Sequence, residues 1–210
     1  MMTHADTRTL EDAVDAQFSA VAENYRTSAV HVQGDDLRQM LAAAGLMGDE
    51  AVLDAGCGAG HASAAFAPHV SRVVAYDLSS AMLAQVQVLA RERGLANITT
   101  QQGSVDQLPF EDASFDRVIS RYSAHHWAKP DAALREFRRV LKPGGRFILS
   151  DIVAPADPLQ DTWLQALELL RDPSHVRDHS AAQWLAIFDA SGFKAQVAFT
   201  WQLPLEFGAW

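Results

Sequence analysis

The chain has 210 residues, the size of one domain, and 49% of them are apolar while 20% are charged, which is a globular composition. Its net charge of −9 argues against a nucleic-acid partner, because phosphate binding depends on Lys and Arg. A single cysteine, Cys57, excludes an intrachain disulfide and is typical of a cytoplasmic protein. We expect no signal peptide and no membrane span, because no stretch is sufficiently long and apolar.

Helices and strands are predicted to alternate along most of the chain. Ala-rich segments at 11–25 and 35–44 predict two helices, the second ended by Gly45. Apolar runs and turn signals then predict, in order, a strand at 51–55, a helix reaching 68, a strand at 72–76, a helix at 79–93, strands at 98–102 and 115–122, a helix at 131–141, a strand at 146–153, helices at 157–170 and 180–190, and a strand at 194–202.

This alternation is typical of a doubly wound α/β fold, with a mostly parallel sheet of six strands and helices on both faces. We expect a single domain with three parts. Residues 1–48 would form an N-terminal helical segment, residues 49–154 the sheet core, and residues 155–210 the C-terminal helices and last strand.

A glycine-rich turn follows the first predicted strand. Gly56, Gly58 and Gly60 let the backbone approach a ligand, and Asp77 lies 21 residues after the first glycine, where a ribose-binding carboxylate is expected. A dinucleotide fingerprint needs a third glycine where this chain has His61, so a nicotinamide-dependent oxidoreductase is disfavoured. The turn fits a nucleoside without a pyrophosphate. The alternative is a tight strand–helix corner with no ligand.

Four segments, in order, carry a family resemblance: VLDAGCGAGHAS (52–63), VVAYDLSSAML (73–83), GSVDQLPFEDASFDRVISRYSAHHW (103–127) and LREFRRVLKPGGRFILSDI (134–152). The chain resembles class I S-adenosylmethionine-dependent methyltransferases with a Rossmann-like fold. Within them it is similar to the small-molecule branch related to the ubiquinone/menaquinone C-methyltransferases. The resemblance implies S-adenosylmethionine as cofactor, S-adenosylhomocysteine as product and a small-molecule methyl acceptor.

The resemblance also implies roles for individual residues. Asp54 would hold the amino group of the cofactor, and Asp77 its ribose hydroxyls. Relatives often have Asp where this chain has Ser104, so we expect the Ser104 hydroxyl and the Val105 backbone to contact the adenine. The expected cofactor-binding set is Tyr25, Asp54, Gly56, Gly58, Gly60, Asp77, Leu78, Met82, Ser104, Val105 and Ser120.

Candidates for catalysis lie after the fourth predicted strand. His125 or His126 could act as a general base if the acceptor must lose a proton, and the alternative is a packing or capping role. A metal site is disfavoured, because adjacent histidines rarely point the same way. The acceptor pocket is predicted to involve His31, Tyr122, His175 and Arg177. Residues 1–48 would cover the cofactor as a lid.

The family usually has a seventh, antiparallel strand between the fifth and the sixth, and this chain lacks a segment for it. We therefore expect a truncated chain with an open sheet edge. A homodimer across that edge, or a shift of the sixth strand into the vacant position, would cover it. The shortened C-terminus also keeps open a second function, a non-catalytic protein that binds S-adenosylmethionine or S-adenosylhomocysteine.

Overall fold

The structure, a computed structural model, describes residues 9–19, 22 and 34–202. Its centre is a sheet of five parallel strands in the order β3-β2-β1-β4-β5. The strands are β1 (Ala51–Ala55), β2 (Arg72–Asp77), β3 (Ile98–Gln102), β4 (Phe115–Arg121) and β5 (Leu141–Ser150). The predicted doubly wound parallel sheet is confirmed.

Seven α-helices are described, with short 3₁₀ turns at Ala67–His69 and Ala124–His126. The helices are α1 (Leu10–Ser19), α2 (Asp35–Ala44), α3 (His61–Phe66), α4 (Ser80–Glu92), α5 (Pro130–Val140), α6 (Pro158–Arg171) and α7 (Ala181–Ala190). None of these helices is long and apolar enough to cross a bilayer.

The middle strand β1 is buried along its whole length because helices cover both faces of the sheet. Val52 packs on one face with Met40 of α2 and Phe66 of α3. Leu53 points to the opposite face and belongs to the cluster that contains Phe137 of α5. Successive residues of a strand alternate between faces, so this run of apolar residues serves two cores at once.

The sixth strand predicted at 194–202 is wrong, because the structure assigns no strand to these residues. Their alternating apolar pattern lacks a partner strand, and a single extended segment cannot form a hydrogen-bonded ladder. They lie beside a groove of about 1330 Å³ that also borders β5, so no strand has moved into the vacant position. Dimerisation across this edge stays a prediction.

The N-terminal segment is described only in part. Helix α1 packs against α4, where Phe18 contacts the cluster formed by Ala22, Ala59 and Met82. Tyr25 and His31 lie outside the described residues. The division of the chain into a lid, a core and a C-terminal part also stays a prediction.

Candidate functional site

The carboxyl ends of the strands enclose a cavity of about 300 Å³. It lies where the strand order reverses between β1 and β4, which is where ligands bind in open parallel sheets. Its walls are the glycine loop after β1, the end of β2, the segment after β3 and the turn after β4. Val14 and Phe18 of α1 also line it.

The loop after β1 turns through three glycines with positive φ. The angle φ is 70° at Gly56, 51° at Gly58 and 88° at Gly60. A Cβ atom at Gly56 would collide with Oγ of Ser123, and one at Gly60 would lie 2.9 Å from Cγ2 of Val86. A Cβ atom at Gly58 would meet no atom of the described residues within 4 Å. Two of the glycines therefore permit close packing, and Gly58 leaves space at the cavity.

Asp77 ties the end of β2 to this loop. Its Oδ2 accepts a hydrogen bond from the backbone N–H of Gly58 at 2.8 Å, and its Oδ1 accepts one from Ser79 at 2.9 Å. Burial raises the pKa of Asp77, and these two N–H groups act in the opposite direction. Each carboxylate oxygen can accept a second hydrogen bond, so the side chain can still bind a pair of neighbouring hydroxyl groups.

Asp54 is fully buried at the end of β1, below the glycine loop. Its Oδ2 accepts a hydrogen bond from Oγ of Ser63 at 2.6 Å. Its Oδ1 has no hydrogen-bond partner in the part of the chain that the structure describes. Burial raises the pKa of Asp54 to about 7. A buried carboxyl oxygen without a partner is costly, and an ammonium group from a ligand would satisfy it.

The next wall of the cavity is apolar. Leu78 lines it from the turn between β2 and α4, Met82 from the first turn of α4, and Val105 from the segment after β3. The Ser79 side chain caps α4 by accepting a hydrogen bond from the N–H of Met82 at 3.4 Å. A thioether side chain and two aliphatic ones form a suitable surface for a flat ring.

Ser104 lines the cavity within a hydrogen-bonded turn. Its carbonyl oxygen accepts a hydrogen bond from the hydroxyl of Tyr76 at 3.0 Å, and its Oγ accepts one from the N–H of Asp106 at 3.3 Å. Asp106 also lines the cavity, and burial raises its pKa. The Ser104 hydroxyl retains a second lone pair and its proton for a ligand.

The end of β4 carries a buried ion pair beside the cavity. Nε of Arg121 lies 2.5 Å from Oδ2 of Asp36 at the start of α2, and the guanidinium lies 4.6 Å from the ring centre of Tyr122. Arg121 and Tyr122 line the cavity. Ser120 is fully buried and is not among the lining residues; its Oγ has no hydrogen-bond partner within the described ranges.

The two adjacent histidines have different surroundings. His126 lines the cavity, its ring meets Phe18 edge-on at 5.0 Å, and its Nδ1 lies 3.1 Å from the carbonyl oxygen of Ser174. Burial and the neighbouring imidazole lower the pKa of His126 to about 4. Nδ1 of His125 instead lies 2.7 Å from Oδ1 of Asp151, directly after β5.

His175 and Arg177 lie in the loop between α6 and α7 and do not line the cavity. Nε2 of His175 is 3.0 Å from Oε1 of Gln165, and Arg177 pairs with Asp161 at 2.6 Å. The backbone N–H of Arg177 donates to the carbonyl oxygen of His125 at 3.1 Å, so the loop packs on the histidine turn. A role of the loop in acceptor binding stays a prediction.

Sequence reasoning missed four polar residues of this region: Asp36, Asp106, Arg121 and Asp151. Asp151 lies inside the strand predicted at 146–153, whereas the observed strand β5 ends at Ser150, so the strand-end signal that identified Asp77 did not single out Asp151. The Asp36–Arg121 pair spans 85 positions and has no local signal. Among the described residues, no three His, Cys, Asp or Glu side chains form a group that could hold a metal ion.

The residues present fit the cofactor that the family resemblance implies. A zwitterionic nucleoside would meet an unpaired carboxyl oxygen at Asp54, open space at Gly58 and remaining acceptor sites at Asp77. These three features lie along one cavity.

Comparisons with known proteins point in one direction. Residues 53–149 match the family model of a methyltransferase domain. The uncharacterized methyltransferase YcgJ of Bacillus subtilis is 41% identical over 196 residues, which cover 93% of this chain and 78% of that protein. The ubiquinone/menaquinone biosynthesis C-methyltransferase UbiE of Rubrivivax gelatinosus is 33% identical over 157 residues, covering 72% of this chain and 60% of that protein.

The fold comparison agrees. The crystal structure of YcgJ superposes with a TM-score of 0.80, covering 83% of this chain and 74% of that chain. A putative methyltransferase from Bacillus halodurans gives a TM-score of 0.75 at 36% identity, covering 78% of this chain and 71% of the other.

Proposed function

The chain belongs to the class I S-adenosylmethionine-dependent methyltransferases, and we propose that it transfers a methyl group to a small-molecule acceptor. The observation that carries this proposal is that one cavity contains both the carboxylate of Asp77 and an oxygen of Asp54 that has no hydrogen-bond partner among the residues the structure describes. Together they match the amino group and the ribose of a single ligand.

We assign the cofactor contacts as follows. The Asp77 carboxylate accepts hydrogen bonds from the ribose hydroxyls, and the glycine loop lies beneath the amino-acid portion. Leu78 and Met82 flank the adenine, and Ser104 with the Val105 backbone contacts its edge. Tyr25, which lies outside the described residues, stays a predicted contact, whereas Ser120 is fully buried, does not line the cavity and is not assigned one.

S-adenosylmethionine supplies, when bound, a methyl group on a positively charged sulfur that leaves as a neutral thioether. The chain's task is mainly to align the acceptor with that methyl group, and orientation of this kind can supply about 7–11 kcal/mol of the barrier. Residues 1–48, as a lid, would exclude water from the reacting centre.

Net charge favours a small-molecule acceptor over a nucleic acid. The chain carries a net charge of −9, which opposes nucleic-acid binding because phosphate binding depends on Lys and Arg. UbiE, a relative, is named for quinone biosynthesis, so quinol-like acceptors are the first to test. Cys57 is a buried free thiol, which supports a cytoplasmic site of action.

The proposal is tested by combining a binding measurement with a transfer assay. We expect S-adenosylhomocysteine to bind in calorimetry and radiolabelled S-adenosylmethionine to methylate at least one member of a panel. The panel contains 1,4-naphthalenediol, catechol, acetylacetone, benzylamine and tetrahydrothiophene. Asp77→Ala is the control and should lose binding and transfer together.

Two results would contradict the proposal. If S-adenosylhomocysteine does not bind, the cofactor assignment is wrong. If it binds but no acceptor is methylated, the second function considered from the sequence, a non-catalytic binding protein, replaces the transferase.

A further inference from the structure

Asp151 holds the imidazole of His125 in a fixed orientation. Its Oδ1 lies 2.7 Å from Nδ1 of His125 and accepts the N–H of Ile152 at 2.8 Å, while its Oδ2 accepts the N–H of Ala124 at 2.6 Å. The Asp151 side chain is 2% exposed and that of His125 is 11% exposed. Three contacts on one buried carboxylate leave the ring little freedom to rotate.

This contact also decides which ring nitrogen carries the proton. A carboxylate accepts hydrogen bonds, so Nδ1 of neutral His125 is protonated and Nε2 presents a lone pair. Burial lowers the pKa of His125, but Asp151 raises it, and the net shift is upward from 6.5. The pKa of Asp151 is lowered despite burial, because His125 and the two N–H groups favour the carboxylate.

His125 is not itself among the residues that line the cofactor cavity, but its ring centre lies 4.2 Å from that of His126, which does line it. The loop between α6 and α7 closes over the turn. Within this loop, Nδ1 of His175 and Oδ2 of Asp178 are buried without a hydrogen-bond partner among the described residues. The ring of His175 lies 5.8 Å from that of His125. The space around His125 is therefore polar and incompletely satisfied, as a site for a polar ligand would be.

Besides Asp151, the carboxylates of Glu168 in α6 and Asp178 in the following loop act on His125, and the rings of His126 and His175 lie beside it. Two further charged groups, Arg171 of α6 and Asp172 of the loop, act on these neighbours. The carboxylates favour protonation of His125 and the other histidines oppose it, so its titration reflects the whole cluster.

His126 is a poorer candidate for a base despite lining the cavity. Its Nδ1 lies within hydrogen-bond distance of the carbonyl oxygen and the Oγ of Ser174, at 3.1 Å and 3.3 Å. The nearest carboxylate oxygen, Oδ2 of Asp172, is 3.9 Å from Nε2, which is beyond a hydrogen bond. Within the described ranges, no carboxylate orients the His126 ring as Asp151 orients that of His125.

We propose that His125 is the general base of the methyl transfer, that Asp151 is its positioning residue, and that the acceptor carries a protic O–H or an acidic C–H at the atom that is methylated. This inference rests on the proposed function and narrows its acceptor. The proton of the acceptor moves to Nε2 of His125, and the electron pair left on the acceptor atom forms the new bond to the methyl group. The sulfur keeps the electron pair of the bond that breaks.

The test compares four proteins: the unaltered chain, Asp151→Asn, His125→Gln and His126→Gln. Calorimetry with S-adenosylhomocysteine first checks that each variant retains the cofactor pocket, and we expect dissociation constants within threefold of one another. Nitrogen-15 NMR of labelled histidines then reports the tautomer and the titration of His125 without any acceptor. We expect a proton on Nδ1, and a lower pKa for His125 in Asp151→Asn.

Transfer is measured from pH 5 to 9 with 1,4-naphthalenediol, catechol and acetylacetone, with tetrahydrothiophene as the aprotic comparison. Because the base must be neutral, kcat should rise with pH through the titration of His125. Asp151→Asn should move this acid limb to lower pH and reduce kcat. His125→Gln should remove the limb and lower kcat about 10²- to 10⁴-fold. His126→Gln should leave the limb in place.

The outcomes separate this inference from the proposed function. Failure of S-adenosylhomocysteine to bind the unaltered chain contradicts the function itself. If S-adenosylhomocysteine binds but tetrahydrothiophene is the only acceptor methylated, or no protic acceptor is methylated, the cofactor site is supported and the inference about His125 is overturned. A proton on Nε2 of His125, or an acid limb that Asp151→Asn leaves unmoved, also overturns it, because a merely structural aspartate would change rates at all pH values equally.

Discussion

The Asp54 carboxyl group holds a proton that a cationic ligand would displace. Its pKa is raised from the ordinary 3.8 to about 7 in the folded protein, mainly because the side chain is fully buried. Between pH 3.8 and about pH 7, the Asp54 carboxyl group of the folded chain is therefore mostly neutral. An ammonium group placed at Oδ1 favours the carboxylate, so ligand binding lowers the pKa and releases the proton.

We predict that S-adenosylhomocysteine releases more than about half a proton when it binds at pH 6.5, and that its affinity rises roughly tenfold from pH 5.5 to 7.5. Calorimetry in buffers of different ionisation enthalpy measures the proton count. Methylthioadenosine, which lacks the amino-acid portion, should release none, and Asp54→Asn should abolish the release. Equal proton counts for the two ligands would contradict the assignment of Asp54.

Ser104 tests the contact with the adenine. Loss of its hydroxyl in Ser104→Ala should weaken S-adenosylhomocysteine binding by about 0.5–1.5 kcal/mol, because one hydrogen bond is removed from a partly buried site. Ser71→Ala is the matched control, since the Ser71 hydroxyl bonds to the carbonyl oxygen of Glu50 outside the cavity. Unchanged affinity in Ser104→Ala would count against the assignment.

Single residues were predictable where local spacing determines position. Asp77 follows an apolar run and lies 21 residues after Gly56, and the structure places it at the cavity wall. Asp151 lies directly after β5, and its contact with His125 exists only because β4 and β5 are neighbours in the sheet. Strand order is not encoded in local spacing, so that pair required the structure.

The glycine loop is the element whose geometry the site requires most directly. Gly60 combines a φ of 88° with side-chain atoms of Val86 close to where a Cβ atom would be. Gly60→Ala should therefore lower the unfolding free energy by about 2–4 kcal/mol, from backbone strain plus overpacking. Urea unfolding measures this change.

Gly94→Ala is the matched control for that prediction. Gly94 has a φ of 64°, and a Cβ atom there would meet nothing within 4 Å. The unfolding free energy of Gly94→Ala should therefore fall only by the contribution of backbone strain, about 1–2 kcal/mol. Equal losses in the two variants would show that Val86 does not restrict the loop.

The strands with two buried faces could be predicted from the sequence, whereas the strand predicted at 194–202 does not exist in the structure. The mostly apolar run of β1 is buried along its whole length, and β4 is buried from Val118 to Arg121, as expected for central strands of a parallel sheet. The segment 194–202 has an alternating pattern, yet it is mostly exposed and unpaired in the structure. A pattern specifies which side chains could face a core, but a strand also needs a neighbour to bond with.

At the scale of the whole molecule, ligand binding should stabilise the fold. S-adenosylhomocysteine at 100 times its dissociation constant should raise the unfolding free energy by about 2.7 kcal/mol. For a chain of 210 residues this corresponds to a rise in Tm of roughly 5–11 °C. Differential scanning fluorimetry measures it, and NAD at the same concentration should give no shift. A larger shift with NAD would indicate a dinucleotide site instead.

A crystal structure with S-adenosylhomocysteine tests the central claim most directly. We expect the nucleoside in the cavity at the carboxyl ends of β1, β2 and β4, with both ribose hydroxyls bonded to Asp77 and the amino group at Oδ1 of Asp54. A ligand bound elsewhere, or a ribose out of hydrogen-bond reach of Asp77, would contradict it.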